Sequence, residues 1–167
     1  MKKKVYCFTC NKDIEPNHKK EKNTYTVHKQ KVTVEEEILS CPYCKNELMN
    51  ETLDDSLYNI YNAYLKLYDL SFEKLKEIRN SYNLSQELFA TALGWSKRTI
   101  VRYENAESLP QNQYLPIYKK ILNNKNEFLN ILKSNQNSVD KATYFKIYNT
   151  INADLDLKTI NVFLMNM

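Results

Sequence analysis

Four cysteines stand in two CxxC pairs, Cys7-Phe8-Thr9-Cys10 and Cys41-Pro42-Tyr43-Cys44. Each pair can place two thiolates on one tight turn, and two such turns make a tetrahedral four-sulfur site suited to Zn²⁺. With Cys7, Cys10, Cys41 and Cys44 as ligands the site is closed to water and substrate, which points to one structural Zn²⁺ per chain rather than a catalytic one. A redox-active CxxC would need a single thiol pair of depressed pKa at a helix start, and two spaced pairs without a strand-helix-strand pattern argue against it. His18 and His28 could each replace a cysteine, but four thiols already complete the shell, so both are expected at the surface.

The second group of chemistry-bearing residues is basic. Ser96-Lys97-Arg98-Thr99-Ile100-Val101-Arg102-Tyr103-Glu104 reads as a short helix capped by Ser96. Ile100 and Tyr103 point to a core, and Lys97, Arg98, Val101 and Arg102 are left outside. A capped helix with cations at its exposed start suits a major groove, where an arginine can bond guanine O6 and N7 together.

Two kinds of element must position these groups. Between the CxxC pairs, Tyr25, Val27, Val32 and Val34 alternate with polar residues on either side of His28-Lys29-Gln30-Lys31, which predicts a β-hairpin. Residues 1–50 carry too few large apolar side chains to fold on a core alone, so metal binding, worth about 10–16 kcal/mol for structural zinc, is the expected substitute. Residues 51–69 predict a connecting helix. It opens at Asp54-Asp55 and carries a stripe of Leu57, Ile60, Tyr61, Tyr64, Leu65 and Tyr68 that packs on a neighbouring module or on its own copy in a second chain.

Residues 70–134 hold the helix suited to a major groove. Ser71 is expected to cap a helix with Phe72, Leu75 and Ile78 on one face, ending near 80–83. Ser85 caps the next, Gln86 to Leu93, with Leu88, Phe89 and Leu93 inward and small Ala90 permitting close approach. Gly94, the chain's one glycine, stands where that helix must stop in the left-handed region. Leu115, Ile117, Tyr118, Ile121 and Leu122, then Phe128, Leu129, Ile131 and Leu132, predict two more helices and close a five-helix domain.

Leu84-Ser85-Gln86, Ala90, Gly94, Ser96, Thr99-Ile100, Glu104 and Pro110 together resemble the helix-turn-helix of the XRE/Cro family of phage and bacterial regulators. That resemblance implies a buried ion pair between Arg79 and Glu104, DNA contacts by Gln86, Ser96 and Thr99, and a groove face made by Lys97, Arg98 and Arg102. With two CxxC pairs ahead of it, the order of modules is similar to the MqsA (YgiT-type) antitoxins, over roughly residues 5–133. This implies a homodimer on a palindromic double-stranded DNA operator, repression of its own operon, and a protein toxin as partner. The chain departs from the pattern twice. The glycine usual after the helix-ending Glu is replaced by Asn105-Ala106-Glu107, where Asn105 would tolerate a left-handed backbone, and a segment beyond 135 is extra.

In that segment a polar linker, Asn135 to Ser138, precedes Tyr144, Ile147, Ile151, Leu155, Leu157, Ile160, Phe163 and Leu164, a helical extension over 135–167 whose apolar pattern needs its own domain, a second subunit or a toxin to cover it. The expected fold class is α+β: a small zinc-bound hairpin module, then an all-α domain.

Charge agrees with this division. The net formal charge is +4, and it divides as +3 over 1–50, −3 over 51–69, +4 over 70–134 and zero thereafter, so the helix-turn-helix region carries the excess that phosphates attract. The chain is 43% hydrophobic and 26% charged, as in soluble globular proteins. No apolar run approaches the roughly 20 residues a bilayer crossing needs. The basic start lacks the apolar core of a secretory signal, and four thiols without disulfides suit a reducing compartment, so a cytoplasmic protein is expected. There is no Ser-His-Asp or Cys-His arrangement, no phosphate-cradling glycine loop and no open metal site, so no enzymatic activity is expected. Two alternatives to an antitoxin remain: a phage or mobile-element regulator without a toxin, and a protein-interaction adaptor built on the zinc module.

Overall fold

The structure, a computed structural model, describes residues 4–49 and 53–165; the side chains of 53–55 and 154–165 are outside that description. The chain is α+β, in two compact units that meet in sequence between Leu67 and Tyr68. The connecting helix therefore belongs with the thiol-bearing unit, and the C-terminal extension with the helix-turn-helix.

The first unit holds two antiparallel hairpins, β1 (Val5–Cys7) with β2 (Lys12–Ile14) and β3 (Asn17–Val27) with β4 (Gln30–Ser40), then helix α1 (Leu53–Lys66). The long hairpin turns on His28 and Lys29 alone, at φ 46° and 68°, the two left-handed residues that a two-residue turn matched to strand twist requires. Val27 pairs with Gln30, Tyr25 with Val32 and Asn23 with Val34, so one hairpin face collects Asn23, Tyr25, Val32, Val34 and Glu36. Helix α1 packs on this hairpin, mainly on β4, and Ile60, Tyr64 and Leu65 are buried. The middle of the stripe read from the sequence thus covers the neighbouring hairpin, whereas Leu57, expected in the same stripe, is 53% exposed. Asp54 and Asp55 fall in the first turn of α1, but their side chains lie outside the described residues.

Glu36 joins strand to helix. It accepts hydrogen bonds from Ser56 Oγ at 2.6 Å, Tyr25 OH at 2.6 Å and Asn23 Nδ2 at 2.7 Å. These donors, Ser56 first, hold its carboxyl below the usual carboxylate range, as expected where bonding favours the charged form.

The second unit opens with α2 (Phe72–Ser81), α3 (Gln86–Leu93), α4 (Lys97–Glu104), α5 (Leu115–Ile121) and α6 (Lys125–Ser134), the five-helix set expected from periodicity. A 3₁₀ turn (Gln136–Ser138) and α7 (Lys141–Met165) follow. Phe72, Leu75, Ile78, Phe89, Ile100, Leu115, Tyr118, Ile121, Phe128 and Leu132 are almost wholly enclosed. Aromatic rings bridge the helices: Phe128 stands 4.5 Å from Tyr82 and 5.4 Å from Phe89, centroid to centroid, distances at which aromatic pairs add to simple burial. Helix α7 packs on α3 and α6 and buries Ile147 and Ile151, so this part of the extension covers its own domain. Leu155, Leu157, Ile160, Phe163 and Leu164 lie outside the residues whose side chains are described.

Candidate metal centre and nucleic-acid interface

Each CxxC pair sits on a knuckle closed by a left-handed residue, Asn11 at φ 51° after Cys10 and Lys45 at φ 64° after Cys44. The first knuckle is the turn of the β1–β2 hairpin. In the second, Lys45 N–H donates to Cys41 O at 3.0 Å and Cys41 N–H to Asn46 O at 2.9 Å, while Leu48 N–H donates to Leu39 O at 2.8 Å. Beneath the knuckles a small cluster of Ile14, Leu39 and Leu48 packs around Cys7 and Cys41.

The four sulfurs converge. Cys7 Sγ stands 3.6 Å from Cys44 Sγ and Cys10 Sγ 3.7 Å from Cys41 Sγ, and all four lie within 4.8 Å of one another. Metal–sulfur bonds of about 2.3 Å in a tetrahedron imply sulfur–sulfur edges of about 3.8 Å, so the set fits a metal ion. No disulfide joins them.

Desolvation and the neighbouring thiols of Cys44, Cys41 and Cys7 push the Cys10 thiol up to about 12. Cys41 is desolvated too, yet the backbone N–H groups of Cys44 and Tyr43 bond its sulfur and draw it down to about 6. Four thiols this close resist joint ionisation, and a divalent cation is what allows it. The histidines stay at the surface, His18 Nδ1 paired to Glu37 Oε1 at 2.8 Å and the His28 ring 5.5 Å from that of Tyr64.

In the second unit three serines cap three helices. Ser71 Oγ accepts from Lys74 N–H at 3.1 Å, Ser85 Oγ from Leu88 N–H at 3.2 Å and Ser96 Oγ from Thr99 N–H at 3.2 Å. Gly94 adopts φ 71°, and its neighbours form the Schellman pattern that ends a helix sharply.

Helix α4 then presents one polar face. Lys97, Arg98 and Arg102 are exposed. Lys97 Nζ reaches Glu87 Oε2 only at 3.5 Å, a surface pair of little energy. Arg98 and Arg102 border a shallow depression of about 330 Å³ that Ser108, Gln111 and Tyr114 also line. Ser96 and Thr99 share a hydroxyl contact of 2.9 Å at the helix start, which leaves the cap facing outward beside the arginines.

Behind that face the expected ion pair is present and bidentate. Arg79 Nε donates to Glu104 Oε1 at 2.6 Å and Arg79 Nη2 to Glu104 Oε2 at 2.9 Å, while Nη1 holds Leu84 O at 2.7 Å. The two side chains are 11% and 1% exposed, little enough that geometry rather than solvent decides the interaction. The structure also ties Gln86 into this pair, its Nε2 donating to Glu104 Oε2 at 2.9 Å. One carboxylate thus locks the end of α4 to both α2 and the start of α3.

The end of α4 corrects one expectation. Asn105 is not left-handed, at φ −91°; Ala106 takes that role at φ 59°. Glu107 N–H donates to Arg102 O at 2.9 Å and Ala106 N–H to Tyr103 O at 3.3 Å, which places Ala106 at the position that Gly94 holds after α3.

Residues 75–124, under a third of the chain, match the family model described as Helix-turn-helix. No curated protein matches the chain. No helix among the described residues is long and apolar enough to cross a membrane.

Proposed function

We propose, from the premise that this chain carries an XRE-type helix-turn-helix domain and is a DNA-binding regulator, that it is the autorepressing antitoxin of a toxin–antitoxin pair. In this reading it acts in the cytoplasm as a homodimer on a palindromic operator, holds one structural Zn²⁺ on Cys7, Cys10, Cys41 and Cys44, and has no enzymatic activity. The observation that carries the DNA part is the exposed row of Lys97, Arg98 and Arg102 on a helix whose far end is locked by Glu104.

The exposure of these side chains supports a division of roles in this reading. Arg98 and Arg102 read base edges, Lys97 neutralises phosphate, and the Ser96–Thr99 cap approaches the backbone. Support for a protein partner comes from the first unit. Phe8 and Tyr43, one on each knuckle, are 77% and 66% exposed, and large apolar side chains held out to solvent are what a partner surface covers.

Selection of bound duplexes from a random pool tests the reading. A two-fold symmetric site with half-sites about 34 Å apart is expected, and enrichment of no sequence would sink it. The antitoxin part is tested separately: expression of the adjacent gene alone should arrest growth, and co-expression of this chain should restore it. A neighbour with no such effect would leave a regulator without a toxin.

A further inference from the structure

A helix end leaves its last carbonyls without intrahelical partners. At the end of α3, where the turn of the helix-turn-helix begins, two of them are satisfied locally. Trp95 N–H donates to Ala90 O at 2.8 Å and Gly94 N–H to Thr91 O at 3.1 Å. The next, Ala92 O, accepts from Asn135 Nδ2 at 3.0 Å, a residue 43 positions further along the chain.

Asn135 also fills the space over the glycine. A Cβ added to Gly94 would lie 3.2–3.3 Å from the Asn135 Nδ2, Cγ and Oδ1 atoms. Gly94 is therefore favoured twice, by its positive φ and by the close approach of the Asn135 side chain. Asn135 is itself held in place. Its N–H donates to Ile131 O at 3.1 Å, and its carbonyl accepts from Ser138 N–H at 2.9 Å, which starts the 3₁₀ turn leading to α7. The polar stretch that reads as a linker is thus a structured corner, held by the end of α6 and by the 3₁₀ turn that follows it.

We infer that Asn135 is a positioning residue for DNA reading: the corner where the C-terminal extension begins clamps the turn between α3 and α4 and so sets the angle at which Arg98 and Arg102 enter the groove. The inference rests on the DNA-binding reading above. Base-edge bonds depend on donor positions within a fraction of an ångström, whereas phosphate attraction is long-ranged and forgiving. Loosening the turn should therefore weaken specific binding and spare non-specific binding.

The molecule supplies a reporter, since Trp95 is its one tryptophan and lies in the clamped turn. Asn135→Ala and the shape-keeping Asn135→Leu, which lacks the donor, are compared with Ile147→Ala, which loosens α7 without touching Ala92 O. The measurements are affinity for the selected duplex, affinity for a scrambled duplex, Trp95 emission well below the melt, and melting temperature.

Both Asn135 variants should lose about tenfold in affinity for the selected duplex, stay within twofold on the scrambled one, and show altered Trp95 emission. Ile147→Ala, with an equal or larger drop in melting temperature, should keep the parent's emission and specificity ratio. The inference is overturned if Asn135→Leu keeps the parent's emission and specific affinity, or if Ile147→Ala loses specificity to the same extent. Should Asn135→Ala fail to fold, Asn135→Leu decides. Should the parent chain select no DNA, the DNA-binding reading falls and Trp95 emission alone decides the clamp.

Discussion

The two units hold themselves together by different means. In the helical unit, buried rings and aliphatic side chains come from each of α2 to α7, and the enclosed Arg79–Glu104 ion pair adds direction to their packing. In the hairpin unit, apolar burial is split between a small cluster under the knuckles and the seam between β4 and α1, with Glu36 and its three donors set in that seam. The first arrangement stands on burial, and the second brings together four thiols that could hold a metal ion. In the proposed function, the geometry required for base reading would sit on the unit with the larger apolar core.

The largest expected effect separates the units outright. In the proposed function, removing metal with a chelator, or substituting Cys41→Ser, should unfold the knuckles and their hairpin, because a structural zinc site is worth roughly 10–16 kcal/mol. The helical unit should keep its helical circular dichroism and its affinity for the selected DNA. Acidification should act like the chelator, since the thiols must deprotonate to bind metal. Loss of specific DNA binding on metal removal would mean that the division between the units is wrong.

Within the helical unit, Glu104→Ala should cost about 3–5 kcal/mol, because it leaves Arg79 charged and nearly enclosed. Denaturant unfolding of the full chain, followed through Trp95, measures it. A loss under about 1 kcal/mol would show that solvent reaches the guanidinium in the variant, which its 11% exposure argues against. The hairpin unit should not respond.

Arg98→Ala and Arg102→Ala should each weaken binding of the selected DNA by about 1–3 kcal/mol and relax base preference at one position. Neither should change stability by more than about 0.5 kcal/mol, as expected for exposed positions. Lys97→Ala should weaken binding of all sequences alike and lower the salt dependence by about one ion. If both arginine variants bind as tightly as the parent, α4 is not the reading helix.

Legibility in the sequence followed the range of the interactions. Caps, the glycine stop and the CxxC spacing are local, and each is legible at the position where the structure has it: Ser71, Ser85, Ser96, Gly94 and the four cysteines. The Arg79–Glu104 pair was legible only through resemblance, because nothing local joins a residue in α2 to one at the end of α4. Three features escaped. Glu36 gathers Asn23, Tyr25 and Ser56, each an ordinary polar residue until strand register and helix packing bring them together. Gln86 was assigned to DNA alone because its bond to Glu104 spans two helices. Asn135 looked like a linker because its partner, Ala92 O, is a backbone atom with no mark in sequence.

The smallest expected effect tests how far a helix end departs from its best residue. Helices α3 and α4 close with the same pair of backbone hydrogen bonds, yet α3 ends on Gly94 and α4 on Ala106, at φ 71° and 59°. Alanine in that region pays for contact between its Cβ and its own backbone, roughly 1–2 kcal/mol, while glycine restores about 0.5–1 kcal/mol of chain entropy to the unfolded state. Ala106→Gly should therefore stabilise the helical unit by up to about 1 kcal/mol, read as a higher denaturant midpoint at unchanged slope. Gly94→Ala should do the reverse and by more, because the added methyl meets both the strained backbone and the Asn135 side chain at 3.2–3.3 Å. If Ala106→Gly destabilises instead, the methyl at 106 makes packing contacts worth more than the strain, and the likeness between the two helix ends stops at their hydrogen bonds.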